Sequence, residues 1–250
     1  MIAAPVGYRC PECMNTGQLP TPKTVAGSDL IGKPRVTYAL IFINLALFAV
    51  QFLMGVNSIA VDYGMWPVGI ALQDQWWRLL TSAFLHGSFL HIAFNMYVLF
   101  FLGPTLERIL GHTRFLLLYL LAALGGSVAS YWFSEIDTVS VGASGAIFGL
   151  MGALIVAGRR LRYDITQVVI LLGINVVIGF ISPSVDWRAH FGGLVAGAIV
   201  AAIMVFPPKR VRLPIQIAGV MGVLLILIAL TMVRTAQIQE IFAPIMGVST

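Results

Sequence analysis

Long apolar stretches alternate with short polar segments along most of the chain. A helix needs roughly 20 residues to cross the hydrocarbon core of a bilayer. Seven stretches reach or approach that length, and they lie near 37–54, 87–106, 114–133, 142–158, 166–182, 188–206 and 214–233. The pattern predicts an all-α polytopic membrane protein, in which the fourth and fifth spans are short.

The composition supports this class. The 250 residues are 59% hydrophobic and 10% charged, and their mean hydropathy is +0.93. Soluble domains carry about 25% charged residues, so a soluble fold of this length would lack polar surface. The net charge of +5 does not indicate nucleic-acid binding, because the basic residues form short clusters between the apolar stretches rather than one stripe.

Most basic residues lie on one side of the predicted spans. Twelve of the 15 Lys and Arg residues precede the first span or separate spans two from three, four from five, and six from seven. The other three are Arg78, Arg188 and Arg234. By the positive-inside rule we expect a multi-pass protein of the cell membrane with a cytoplasmic N-terminus and an external C-terminus. Spans two, four and six would then all begin near the outer face.

The loop at 55–86 is long and rich in aromatic residues, which fits a segment lying in the membrane interface. Its aromatic residues include Tyr63, Trp66, Trp76 and Trp77. The chain has no evident internal repeat, which disfavours a transporter built from duplicated halves.

Polar residues cluster where spans two, four and six begin. His86, His91 and Asn95 open the second span, Gly142-Ala143-Ser144-Gly145 opens the fourth, and Ala189-His190-Phe191-Gly192-Gly193 opens the sixth. Polar groups inside a bilayer are costly and mark functional sites by default. The expected orientation places all three sets at a similar depth near the outer face.

Ser144 and His190 are candidates for a nucleophile and its base. Gly145 follows the serine, and Gly193 and Gly197 share a helix face with the histidine, so two glycine faces could pack closely and bring the side chains together. A serine beside a histidine is the minimum device for an activated hydroxyl. The alternatives are a serine bonded to its own helix and a histidine that bonds a neighbouring span.

His91 and Asn95 are four residues apart and face the same way. With the backbone N–H of Ser144 they could hold the oxyanion of a tetrahedral intermediate. His86 would point roughly 140° away from His91 on a continuous helix. We therefore expect His86 to form structural hydrogen bonds with the 55–86 loop.

No carboxylate lies in the apolar part of any predicted span. This favours a Ser–His dyad over a triad and excludes an aspartyl intramembrane protease. The chain has no His-Glu-x-x-His run, so a zinc protease is disfavoured. We expect no metal at this site and no cofactor.

These motifs together resemble the rhomboid family of intramembrane serine proteases. The resemblance covers residues 60–206 and rests on Trp77-Arg78, on His86, His91 and Asn95, on Glu107, on Gly142-Ala143-Ser144-Gly145, and on Ala189-His190 with Gly193 and Gly197. It implies that Ser144 is the nucleophile, His190 the general base, and His91 and Asn95 the oxyanion residues. Phe148 departs from the family, which often has a tyrosine there that stacks on the histidine; phenylalanine can still stack.

The resemblance also implies a domain organisation. Residues 36–206 would form a rhomboid-like six-helix core, and 207–250 would add one C-terminal transmembrane helix and a tail. Residues 1–35 would be a cytoplasmic segment in which Cys10 and Cys13 resemble part of a small zinc module. One Cys-x2-Cys pair is half a zinc site, so we expect a remnant without metal. The alternatives are a metal shared by two chains or a module that begins before this sequence.

The predicted function is that of an intramembrane serine endopeptidase. It would cleave peptide bonds in or near transmembrane segments of other membrane proteins, with those substrates and the lipid bilayer as its partners and no nucleic acid. The alternative is a non-catalytic rhomboid-like binder or chaperone of membrane clients. Such proteins typically lack catalytic residues, which disfavours the alternative.

Overall fold

The computed structural model describes residues 22–182 and 185–246, together with a short two-stranded ribbon near the N-terminus. The ribbon pairs β1 (Ile2–Ala3) with β2 (Tyr8–Arg9) in antiparallel register. Cys10 and Cys13, for which we predicted a metal-free remnant, lie outside the described residues.

Apart from the ribbon, the described chain is built from ten helices. They are α1 (Arg35–Met54), α2 (Val56–Tyr63), α3 (Pro67–Leu72), α4 (Arg78–Thr81), α5 (Phe89–Leu110), α6 (His112–Phe133), α7 (Ser144–Leu161), α8 (Thr166–Ile181), α9 (Trp187–Val205) and α10 (Arg212–Met246). Short 3-10 turns at Ser82–Phe84 and Lys209–Val211 precede α5 and α10. The predicted all-α polytopic class is confirmed.

Six helices are long and apolar enough to cross a membrane, and each corresponds to a predicted span. They are α1, α5, α6, α7, α9 and the stretch Lys209–Phe242 that contains α10. The predicted span at 166–182 corresponds to α8, whose 16 residues make it shorter than the others. The last helix continues well past 233, the end we predicted, because the following residues include strong helix formers such as Ala236, Gln237 and Glu240.

Three central helices, α6, α7 and α9, pack so closely at their glycine residues that the backbones of neighbouring helices are almost in contact. A Cβ atom at Gly193 on α9 would overlap the carbonyl oxygen of Gly145 on α7, and one at Gly197 would overlap the backbone of Gly149. A Cβ at Gly149 would also overlap Ala122 of α6. Small residues of this kind let membrane helices approach closely, where dispersion supplies the association energy. The predicted glycine contact between the fourth and sixth spans is confirmed.

Arg78 organises the segment between α1 and α5. Its buried guanidinium donates to the carbonyl oxygens of Val61 at 2.7 Å and Gly64 at 2.9 Å, and to Oε1 of Gln75 at 2.5 Å. Burial lowers the pKa of Arg78 from its ordinary value, and nearby Asp62 opposes that shift. The helices α2, α3 and α4 are each too short to be stable alone. The bonds of Arg78 therefore hold residues 56–81 together as one folded segment on the bundle, which we call the cap.

The long helix α10 lies against the outside of the bundle and is bonded to it at both ends. Near its start, the Gln216 side chain donates to the carbonyl oxygens of Ala26 at 3.0 Å and Met204 at 2.7 Å. Near its other end, Gln239 donates to the carbonyl oxygen of Ala71 in α3 at 2.8 Å. The additional helix therefore contacts both the N-terminal segment and the cap.

Candidate active site

The N-terminal ends of α5, α7 and α9 meet at one end of the bundle, which we call the site end. Gly142, two residues before α7, lies against the ring of His91, which is in the first turn of α5. Gly145, in the first turn of α7, contacts the Ala189 carbonyl in the first turn of α9. The structure thus brings together the three polar clusters that the sequence singled out.

Gly142 occupies a position that only glycine fits. Its φ is +137°, a conformation that residues with a Cβ rarely adopt. A Cβ there would also lie 2.7 Å from Nε2 of His91 and 3.5 Å from Oγ of Ser144. Its N–H donates to the Ser82 carbonyl at 2.9 Å, which anchors the loop. The missing side chain leaves room for the His91 ring to approach the Ser144 hydroxyl.

Ser144 is the first residue of α7 and is partly exposed. The first intrahelical bond of α7 runs from the Ile147 N–H to the Ala143 carbonyl. The preceding N–H groups of the first turn, which include that of Ser144, therefore have no acceptor within the helix. These N–H groups and the positive end of the helix dipole favour an anion beside the Ser144 hydroxyl.

His190 lies in the first turn of α9, stacked on Phe148. The two rings are 4.0 Å apart between centroids and 13° from parallel. Phe148 is one turn after Ser144 on α7 and therefore lies on the same face of that helix. The stacking holds the His190 imidazole against this face. On its Nδ1 edge, His190 lies against Gly179 of α8. The stacking expected of Phe148 is confirmed.

Among the described residues, no hydrogen bond within 3.5 Å joins the Ser144 hydroxyl to the His190 ring. Bonds between catalytic groups are often long without substrate and shorten when it binds. In this structure, the packing of α7 against α9 and the stacking of His190 on Phe148 hold the two residues near each other.

Asn95 lies one turn beyond His91 on α5 and is buried. Its side-chain amide donates to the His91 carbonyl at 2.9 Å. An amide nitrogen carries two N–H groups, so this bond leaves one N–H of Asn95 for another acceptor. The bond also fixes the Asn95 side chain toward the end of α5 where His91 lies.

The expectation for His86 needs correction. Helix α5 begins at Phe89 with Ser88 as its N-cap, so His86 is not part of that helix and the angular argument does not apply to it. Its fully buried ring packs edge-on against His91, with centroids 5.2 Å apart. Its ring nitrogens have no hydrogen-bond partner in the described structure, whereas its backbone bonds Gln51 of α1. His86 therefore packs beside the site, and an interaction of its ring with the Phe84 backbone leaves its structural role toward the 55–86 loop as a prediction.

Glu107 is not near the site. It lies 16 residues after His91 on α5, or about 24 Å along the helix axis. Its buried carboxylate accepts from the N–H groups of Val36 at 2.9 Å and Thr37 at 2.8 Å, and contacts His112 at 2.5 Å. It thereby satisfies free N–H groups at the start of α1, at the opposite end of the bundle.

Trp77 and Arg78 also lie outside the site cluster. Trp77 is half exposed just before α4, and Arg78 acts within the cap described above. Their effect on the site is indirect: the cap is paired with the loop that leads to α7 through two backbone bonds of 2.9 Å between Met65 and Ser140.

One site residue was missed by the sequence interpretation. Asp186 precedes α9, and its carboxylate accepts from the hydroxyl groups of Ser130 and Ser140 and from the N–H groups of Arg188 and Ala189. It therefore joins the end of α6, the loop before α7 and the start of α9. The available signal was an N-cap aspartate placed four residues before His190.

The family model and the relatives that match this chain all indicate the same protein family. Residues 73–207 match the family model of the rhomboid domain. Rhomboid protease GluP of Bacillus subtilis (strain 168) is 38% identical over 196 residues, which cover 74% of this chain and 38% of that protein. Rhomboid protease AarA of Providencia stuartii is 27% identical over 216 residues, covering 73% of this chain and 76% of that protein. RHOMBOID-like protein 5 of Arabidopsis thaliana is 38% identical over 141 residues, covering 53% and 45%.

The fold and the site define a polytopic α-helical membrane protein with serine, histidine and amide side chains gathered at one end of its spans. The match to the rhomboid domain covers more than half of the chain. This chain belongs to the rhomboid family. It spans less than half the length of two of the three relatives compared, GluP and RHOMBOID-like protein 5.

Proposed function

We propose that this chain is a serine endopeptidase that cleaves peptide bonds in or near transmembrane segments of other membrane proteins. The observation that carries the proposal is the meeting of Ser144 and His91 at Gly142, with His190 stacked on Phe148 one turn after Ser144. The relatives named rhomboid proteases support the same activity.

Ser144 would attack the substrate carbonyl carbon while His190 takes the hydroxyl proton. The Oγ–H bond breaks as the Oγ–C bond forms, and the carbonyl oxygen receives the electron pair of its double bond. His190 then gives the proton to the leaving amine, which leaves an acyl group on Ser144. Water, activated by the same imidazole, releases the acyl group.

The developing oxyanion would be held by three kinds of donor. These are the first-turn N–H groups of α7, the His91 ring and the second N–H of the Asn95 amide. Such donors act strongly where water is excluded, and one of them commonly accounts for a factor of about 10²–10³ in turnover. The site needs no metal in this scheme.

The substrate class follows from the place of the site. Ser144 lies at the start of an apolar helix long enough to span the membrane, so a peptide that reaches it comes from within or beside the bilayer. A helical substrate hides its carbonyl groups in internal hydrogen bonds. We therefore infer substrates whose helices contain residues of low helix propensity near the cleaved bond.

An activity-based probe tests this proposal directly. A fluorophosphonate probe added to membranes that contain the full chain should label the protein, and mass spectrometry should place the adduct on Ser144. The reason is that the probe reacts only with an activated hydroxyl. A non-catalytic binder of membrane clients would give no adduct while still co-purifying with such clients, and that result would refute the enzymatic proposal.

We also propose that the N-terminus is cytoplasmic, the site end faces the outside of the cell membrane, and the C-terminus is external. The support is the distribution of basic residues, 12 of 15 on one side. A reporter fused after Thr250 should report an external position, and one inserted at 159–163 a cytoplasmic one. Reversed results at both positions would overturn the orientation.

A further inference from the structure

Asp186 connects the three segments that build the site. Its Oδ2 atom accepts from the Ser140 hydroxyl at 2.7 Å and from the Ser130 hydroxyl, and its Oδ1 atom accepts from the N–H groups of Arg188 at 3.2 Å and Ala189 at 3.3 Å. Ser140 lies four residues before Ser144, and Asp186 lies four residues before His190. One carboxylate therefore fixes the loop before the nucleophile against the helix that carries the base.

The same carboxylate places a negative charge one helical turn from His190. The His190 N–H donates to the Asp186 carbonyl at 3.3 Å, which sets the two residues on successive turns. No hydrogen bond joins the Asp186 carboxylate to the His190 ring among the described residues, because four other donors occupy its oxygens. Asp186 is thus not the third member of a hydrogen-bonded triad.

The charge of Asp186 opposes an unfavourable field at His190. A helix N-terminus carries about half a positive charge, and His190 lies in the first turn of α9. That field disfavours the imidazolium that forms when His190 takes a proton from Ser144. Within the described chain, no lysine or arginine side chain forms an ion pair with Asp186, so its charge is not cancelled locally.

We propose that Asp186 is a positioning residue of this site, which holds α9 against the loop before Ser144 and electrostatically favours the protonated His190 during turnover. This inference rests on the proposed function, since it concerns the step in which His190 accepts a proton. It assigns a role to a carboxylate outside the apolar spans, where the sequence indicated none.

Asp186→Asn separates the charge from the hydrogen bonds. Asparagine is as good an N-cap as aspartate, and its NH2 group can donate to the two serine hydroxyls. The substitution removes the negative charge and keeps the helix cap, with the bonds to the two serine hydroxyls reversed in direction. We expect kcat for a model transmembrane substrate, and the rate of Ser144 labelling by a fluorophosphonate, to fall about tenfold or more, the order expected for a unit charge at this spacing. KM and the melting temperature in the same detergent should change little.

Asp164→Asn is the matched control. Asp164 also precedes a helix and accepts from a first-turn N–H, that of Thr166 at 2.9 Å before α8, but α8 begins at the end of the bundle opposite to the site. This variant should keep both kcat and stability. Asp186→Ala, which loses the bonds as well as the charge, should lower kcat at least as far and also lower the melting temperature.

Three outcomes would overturn the proposal. If wild-type protein cleaves and labels but Asp186→Asn stays within twofold of it in kcat, the charge has no role and only this inference fails. If Asp186→Asn loses activity only in proportion to a lower melting temperature, Asp186 is a structural cap. If the wild type neither labels nor cleaves, the proposed function fails and this inference with it.

Discussion

Replacing Ser144 by alanine is expected to abolish cleavage of a model transmembrane substrate while leaving expression and melting temperature unchanged. Ser144 lies at the start of α7 beside His91 and the Phe148-stacked His190, and loss of a nucleophile typically lowers turnover many thousandfold. Cleavage by purified protein in detergent or in vesicles is the measurement. Since groups that act as one unit are not additive, the double variant Ser144→Ala/His190→Ala should be no less active than Ser144→Ala alone.

Thr231→Ala provides the control for Ser144→Ala. The Thr231 hydroxyl bonds the Leu227 carbonyl of its own helix at 2.8 Å, which is the ordinary role of a hydroxyl in a span. This variant should retain full activity. Residual activity of Ser144→Ala above a tenth of the wild type would remove Ser144 from the role of nucleophile.

Replacing Asn95 by alanine is expected to lower turnover by about 10²–10³, the usual effect of removing one oxyanion donor. Asn95 is on α5, whereas the relative position of Ser144 and His190 depends on the packing of α7 and α9, so this position should not change. Turnover and melting temperature would be measured in one detergent.

Asn44→Ala is a matched control for Asn95→Ala. The Asn44 amide also donates to the carbonyl four residues earlier, at 2.8 Å, and is also buried, but it lies in the middle of α1. Its loss should affect stability alone. If Asn95→Ala behaves like Asn44→Ala, with unchanged turnover per folded molecule, the oxyanion is held by the backbone N–H groups of α7.

The membrane spans were predictable because hydrocarbon imposes one requirement on every span, a long apolar helix. The glycines at 145, 193 and 197 were equally informative, since close helix approach leaves few other choices of residue. From the spans and the glycine contacts, the sequence predicted that Ser144, His190 and His91 lie at one end of the bundle. The expected depth of the three groups also used the basic residues between the spans, which set the orientation.

The features that the sequence did not indicate depend on where helices begin and on contacts between distant segments. His86 was misassigned because the Ser88 cap starts α5 after it. Glu107 is one of the residues that carry the family resemblance, but it lies at the far end of a 22-residue helix. Asp186 acts through Ser130 and Ser140, which are 56 and 46 residues away in the chain, and periodicity carries no information on such pairs.

The glycine contacts between α7 and α9 have a consequence for how this site responds to mutation. Where two backbones touch directly, there is no side chain that can change rotamer and absorb an added atom. A single methyl group at Gly193 or Gly197 must push the two helices apart, and it carries the hydroxyl and the imidazole apart with them. Side-chain size therefore matters very unequally along α9: the exposed Val195 and Ile199 can vary in size, whereas Gly193 and Gly197 admit one residue.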